Sequence, residues 1–414
     1  MGLQGSNSRL TRIHNRALVL RIIQRRAPIS RKEIAVLTGL SAAAITYITD
    51  DLIARELIIE NRDILTNARI GRKPIGLYIN RQKHGVISVY VGRSLIEAAV
   101  CDLAGGIIHK VEALREGYAD FGSRLPAEVI QTLDRLLTMH GIDHSDFLGI
   151  AISAPGPINA KSGILHNSTG HSDRETQAPF DWRGVKLSEE VGAYFGLPVF
   201  TDNEANVAAL GESWFGAGVA VDNFILYSVG PGIGSGVIID GLLYRGEDDV
   251  VSEIGHVTID YNGPPCACGN VGCLETYAGF RRLVELASSE ATTGTLTEEH
   301  SLIAEIEDVF TRGEAGEERA KAAIAEIGRF LGIGAVTLAN IFNPECIIIS
   351  GNDTGNANLG VLLPIIQAAV QKGAFSVIAS KVKILSSSLG GDARIYGGVA
   401  LLLQEFFAQG TLDS

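Results

Sequence analysis

Three of the five cysteines sit together, at Cys266, Cys268 and Cys273, and His256 precedes the first of them by ten residues. Thiolate and imidazole are the ligands zinc takes, and four of them from one segment fit a tetrahedral site. Gly263, Pro264, Pro265, Gly269 and Gly272 supply the tight turns that such ligation needs. With all four positions filled by protein, the zinc is expected to be structural, with no open place for water. Cys101 and Cys346 fall in apolar, strand-like runs and read as core residues.

Two polar clusters flank this segment in the chain. Asp202-Asn203-Glu204-Ala205-Asn206 follows a strand-like run at 198–201 and opens a helix. Taken alone, Asp202 or Asn203 is as good a helix cap as a ligand contact. Ser252-Glu253-Ile254-Gly255-His256 is the second cluster, and Glu275 stands at the start of a later helix, where the dipole favours a carboxylate. The glycine-rich stretch Gly230-Pro231-Gly232-Ile233-Gly234-Ser235-Gly236 suits either a phosphate or a tight hairpin.

The string Gly255-His256, then Cys266-Ala267-Cys268-Gly269-Asn270-Val271-Gly272-Cys273-Leu274-Glu275, resembles the zinc signature of the ROK family of repressors, open reading frames and kinases. The resemblance covers nearly the whole chain. It implies an α/β fold of two lobes, actin-like and sugar-kinase-like, with ribonuclease H-like halves. It also implies a sugar in the cleft, touched by Asn203, Glu204, Glu253, His256 and Glu275. Ser168 and Thr169, after Gly163-Ile164-Leu165, match a loop that also touches sugar. The chemistry is apt: carboxylates accept from vicinal hydroxyls, and Asn both donates and accepts. His256 would bind zinc through one nitrogen and a hydroxyl through the other.

The phosphate apparatus departs from the family's kinases at three points. Their first glycine turn has the form Asp-x-Gly-Gly-Thr, whereas this chain has Tyr90-Val91-Gly92-Arg93-Ser94. The carboxylate that would meet Mg²⁺ is lost, and a bulky side chain stands where backbone should approach phosphate. In the second loop Pro231 replaces the usual Thr and has no N–H to offer. At the kinase base position Asp becomes Glu204, a shift of about 1 Å in the carboxylate. ATP and Mg²⁺ are therefore not expected, and no residue is assigned as catalytic. Asn343-Pro344 and Ser350-Gly351 resemble the adenosine-side segment, which keeps nucleotide binding open.

The elements that must position these residues are legible as two α/β halves. Strand-like runs at 85–91, 96–101 and 107–111, a helix at 126–139 and a strand at 147–153 make a βββαβ unit. A second begins with strands at 223–229 and 237–239. It continues through late helices, a strand at 346–350, a helix near 360–372, a strand at 381–385 and a last helix from Ala393. Two such halves predict a cleft between them.

Ahead of the body stands a winged helix-turn-helix, predicted over 1–81, with the sugar-kinase-like body over 82–414. A helix at 10–25 stops before Pro28. Ser30-Arg31-Lys32-Glu33 fits a capping box, Gly39 ends the second helix, and Ser41 caps a third through about residue 57. Ile34, Leu37, Ile45, Ile48 and Leu52 form a shared apolar seam. Ser41, Ala42, Ala43, Thr46 and Tyr47 at the start of the third helix suit a major groove, while Arg31 and Lys32 suit phosphates. A hairpin follows, with Arg72 and Lys73 at its basic tip. ROK repressors carry such a head and the family's kinases usually lack it.

Charge agrees with this division. The chain has 414 residues and a net charge of −12, yet residues 1–81 hold 14 Lys/Arg against 6 Asp/Glu. A basic head on an acidic body suits a polyanion at one end only. No run approaches the roughly 18 apolar residues of a membrane helix, and no apolar stretch of a signal peptide follows the basic N-terminus. A cytoplasmic regulator is expected, with double-stranded operator DNA and a sugar or sugar phosphate as partners, acting as a homodimer or homotetramer without a membrane. The alternatives are an active sugar kinase that binds DNA, with Glu204 as base, and a head that docks a protein.

Overall fold

The computed structural model describes residues 8–61, 75–92, 94–115, 121–160, 162–165, 184–247, 249–288, 299–351 and 359–408. Arg72, Lys73, Arg93, Ser168 and Thr169 lie outside the described residues.

The head comprises α1 (Ser8–Arg26), α2 (Arg31–Thr38), α3 (Ala42–Ala54) and the antiparallel pair β1 (Ile58–Asn61) and β2 (Gly76–Ile79). Each boundary has a local cause. Ser30 accepts from the Glu33 amide while Glu33 reaches back to the Ser30 N–H at 2.8 Å, so the capping box forms. Gly39 ends α2 in the left-handed region at φ 68°, and the Ser41 side chain caps α3. Ile34, Ile45, Ile48 and Leu52 are buried together. Leu37, expected in that seam, is 46% exposed instead. Helix α2 has only two turns, and Ile34 is its one fully inward residue.

The body has two five-stranded mixed sheets. The first has the order β5-β4-β3-β6-β9, from β3 (Gly85–Val91), β4 (Leu95–Asp102), β5 (Ile107–Leu114), β6 (Phe147–Ala154) and β9 (Val199–Asn203). Between its last strands come the short pair β7 (Ile158–Asn159) and β8 (Ile164–Leu165). The second sheet has the order β12-β11-β10-β13-β14, from β10 (Phe224–Val229), β11 (Ile233–Ile239), β12 (Leu242–Tyr244), β13 (Cys346–Gly351) and β14 (Lys383–Ser386). In both, an antiparallel meander is extended by parallel strands. That shared order is the βββαβ repeat expected from the chain; β12 is its third strand in the second half, too short to read from three residues.

Helices cover both sheets. α4 (Phe121–His140) and α5 (Leu187–Phe195) pack on the outer face of the first sheet. The outer face of the second carries α7 (Leu274–Ala278), α8 (Phe280–Ala287), α9 (Glu299–Glu314), α10 (Glu318–Phe342) and α11 (Leu359–Gly373), with α12 (Ser376–Ala379) beyond. α10 is long and apolar enough to span a membrane, but 56% of its most apolar stretch is buried, as in a core helix. Between the sheets lie α6 (Glu204–Phe215) and α13 (Ala393–Ala408). Period-two burial divides the work: Phe224 and Leu226 of β10 face α6, while Ile225, Tyr227 and Val229 face the outer helices. Glycines allow the two inner helices to touch. A Cβ on Gly397 would lie 1.8 Å from the Val207 carbonyl oxygen.

Candidate functional site

The cysteine hairpin folds as its glycines predict. Gly272 adopts φ 63° and presses so close that a Cβ there would sit 1.6 Å from the Asp260 carbonyl oxygen. The Cys266 N–H donates to the Asn270 carbonyl at 2.7 Å, which closes the loop holding Cys268. The donor atoms of His256, Cys266, Cys268 and Cys273 all lie within 4.8 Å of one another. Cys268 Sγ and Cys273 Sγ are 3.7 Å apart, and Cys266 Sγ lies 3.7 Å from His256 Nδ1. Bonds of about 2.3 Å in a tetrahedron put sulfurs at about this separation. Burial and the neighbouring thiols push the Cys273 thiol up to about 12. A cation reverses that penalty, because coordinating thiols are deprotonated. The donor set fits a metal ion.

Five of the seven nominated sugar contacts converge beside this hairpin. Strand β9 ends at Asn203, which caps α6: its Oδ1 accepts from Ala205 N at 2.8 Å and Asn206 N at 3.4 Å. Its Nδ2 donates to the Gly156 carbonyl at 2.9 Å, leaving one amide N–H to donate elsewhere. Glu204 is the first residue of α6. Gly234 and Gly236 of β11 approach Ala205, so the start of α6 lies along the start of β11. There the Ile233 N–H donates to Glu275 Oε2 at 2.9 Å, and Gly255 packs on the Ile233 carbonyl. Ser235 Oγ holds Ser252, whose φ is 57°, and so directs Glu253. Glu253 reaches solvent, yet its carboxyl is raised, first by burial and then by Glu275, with His256 opposing. Asn203, Glu204, Glu253, His256 and Glu275 thus share one region around the glycine-rich loop.

Asp202, read from the sequence as a helix cap or a ligand contact, has another task, since Asn203 caps α6. It is fully buried, pairs with Arg245, and accepts from Asn203 N and Asn206 Nδ2.

Side chains of the protein pack together at the first glycine turn. The Tyr90 ring, buried, lies over the first glycine turn, where a Cβ on Gly92 would stand 3.1 Å from it. The Arg394 guanidinium stacks on that ring at 3.5 Å from the centroid and pairs with Glu204 at 3.5 Å. Arg394 is 4% exposed. The glycine-rich stretch forms the β10–β11 hairpin, with its Ile233 amide engaged by Glu275. Sequence reasoning missed Arg394 and Arg245. Each is an ordinary basic residue in the chain, and its partner lies far away in sequence.

In the head, Ser41, Ala42, Ala43, Thr46 and Tyr47 are all exposed on one end of α3, and Lys32 is exposed on α2. Arg31 is not presented in the same way. Its guanidinium is held by Thr49 at 2.7 Å, by Asp50 at 2.8 Å and by Glu60, which ties α2 to α3 and β1.

A DNA-binding type of head joined to a two-lobed body of sugar-kinase architecture defines the class. The ROK family model matches residues 86–405 and a winged helix-turn-helix DNA-binding model matches residues 15–59. The chain belongs to the ROK family. It is 30% identical over 411 residues to the xylose repressor of Caldicellulosiruptor bescii, covering 98% of each. It is 32% identical to a glucokinase of Halalkalibacterium halodurans, over 77% of this chain and 95% of that one. Among solved structures, a ROK family transcriptional regulator superposes with a TM-score of 0.76 at 28% identity, covering 97% of both chains.

Proposed function

We propose that this chain is a sugar-responsive transcriptional regulator, acting as a repressor of carbohydrate-metabolism genes. One observation supports the reading: Asn203, Glu253, His256 and Glu275 gather around the glycine-rich loop, while Arg394 packs on Tyr90 beside Glu204. Relatives that match over nearly the whole chain include one named xylose repressor, and the glucokinase relative aligns over only 77% of the chain.

In this reading the sugar lies between α6 and the start of β11. Asn203 donates its remaining N–H to a hydroxyl, and Glu204, Glu253 and Glu275 accept from others. Zinc would be held by His256, Cys266, Cys268 and Cys273 and would supply rigidity. His256, engaged through one ring nitrogen, would offer the other to a sugar hydroxyl. Ser168 and Thr169 complete the contacts. The head, residues 1–81, places the start of α3 in a major groove, with Lys32, Arg72 and Lys73 on phosphates. A homodimer or homotetramer in the cytoplasm sets two heads on half-sites about 34 Å apart.

The test is duplex binding with D-xylose, D-glucose, N-acetylglucosamine and their phosphates. The duplex is selected from a random pool by the protein itself. Specific binding weakened by one sugar is the expected result. Binding strengthened by a sugar keeps the regulator and reverses its sign. Absence of specific binding sinks the proposal. The second reading, a kinase with Glu204 as base, is favoured by the glucokinase relative; sugar-dependent ADP release would establish it.

A further inference from the structure

One helix of the head is fastened to both lobes of the body. Gln24 of α1 donates through Nε2 to the Ala104 carbonyl at 3.1 Å, in the β4–β5 turn of the first sheet. Arg21 donates to the Gly241 carbonyl, in the β11–β12 turn of the second sheet. Arg25 donates to the Ser213 carbonyl and, at 3.3 Å, to its hydroxyl, in the last turn of α6 between the sheets. The spacing of three and four residues puts these side chains on one face of α1.

The fastening lies at the far end of the body from the candidate sugar site. α6 starts there with Glu204, and its twelve residues reach about 18 Å to the end that holds Arg25. The contact is a demanding one. Burial lowers the affinity of both Arg21 and Arg25 for their protons, Arg25 to about 10. Carbonyls at the negative end of the α6 dipole, with Asp222 nearby, make the arrangement tenable. On its other side α1 is part of the head's core, where Val19, Leu20 and Ile23 cluster with Ile34, Ile45, Leu52 and Leu77.

We propose that this three-point fastening of α1 carries the sugar signal to the DNA-reading helix. It rests on the regulator reading given above. A change of angle between the lobes separates the Ala104 and Gly241 carbonyls, and α1 must then turn or lose a fastening. Because α1 is packed against α2 and α3, turning it re-aims Tyr47 and its neighbours.

The test uses the full-length protein, the selected duplex and the same sugar panel. In wild type the effective sugar changes duplex affinity by about tenfold or more, a common size for coupling between sites. In Gln24→Ala, Arg21→Ala and Arg25→Ala the change falls below about threefold, while sugar affinity without DNA stays within about twofold, since coupling and binding are separate free energies. Of these, Gln24→Ala loses only one neutral contact, and Arg25→Lys serves where the arginine-to-alanine variants melt early, regaining part of the response. Variants as responsive as wild type overturn this inference alone. A wild type whose duplex affinity no sugar alters overturns the regulator reading, and this inference with it.

Discussion

Asn203 illustrates how one side chain holds two roles that mutation can separate. Its Oδ1 caps α6, and its Nδ2 carries the donors. Asn203→Asp keeps an acceptor for the cap and loses both Nδ2 donors, the one to the Gly156 carbonyl included, so sugar affinity should fall about tenfold and stability by about 1 kcal/mol. Asn203→Ala should lose about a further 1 kcal/mol of stability with the cap. Titration calorimetry and urea unfolding measure the two separately; equal stability losses would refute the division. At the metal centre, Cys273→Ser should remove bound zinc and lower the melting temperature, as chelation of wild type should. Elemental analysis beside a thermal melt decides it, and an unchanged melt after complete loss of metal would deny zinc a structural part. These ligands were visible in the chain because the hairpin is local. The role of Arg394, on α13, was not, because its ring partner is Tyr90, on β3 of the first sheet and far off in sequence.

Helices α6 and α13 show what glycine does at the scale of an element. Gly211 faces the Ala393 carbonyl and Gly397 faces the Val207 carbonyl, backbone against backbone. Neither neighbour can move aside as a flexible side chain could. Gly397→Ala should therefore destabilise the protein by about 3 kcal/mol through overpacking. A chemical-denaturation midpoint equal to wild type would show that the helices part more easily than this. In the sequence Gly397 is one of a pair of glycines in an apolar helix, and nothing local says which surface it meets. By contrast α2 was predictable to the residue, because Ser30, Glu33 and Gly39 satisfy one another's backbone groups without help from the rest of the fold.

Across the whole molecule, the net charge of −12 conceals a head of opposite sign. The structure distributes that basicity more finely. Arg21 and Arg25 face the body, and Arg16 and Arg31 pair with acids of the head. Fewer cations are left for DNA than the count suggests. Lys32, exposed on α2, is one of them, and Lys32→Ala should weaken duplex binding evenly across sequences and reduce the salt slope by about 1. Affinity measured over a range of salt gives the slope; an unaltered slope would move the phosphate contact elsewhere. Tyr47→Ala, at the exposed start of α3, should instead change which sequence is preferred.

The sequence by itself determined the cysteine–histidine hairpin, the helix-turn-helix, the strand pattern of each half apart from β12, and the departures from the kinase pattern. All of these depend on spacing within some tens of residues, where periodicity and turn chemistry act. Tertiary structure alone decided which cations meet which partners. It stacked Arg394 on Tyr90, paired Asp202 with Arg245, kept Arg31 inside the head and spread Arg21, Gln24 and Arg25 across two lobes. A long polar side chain takes the partner that the assembled fold brings within reach, and that depends on how distant elements pack, which no local pattern records.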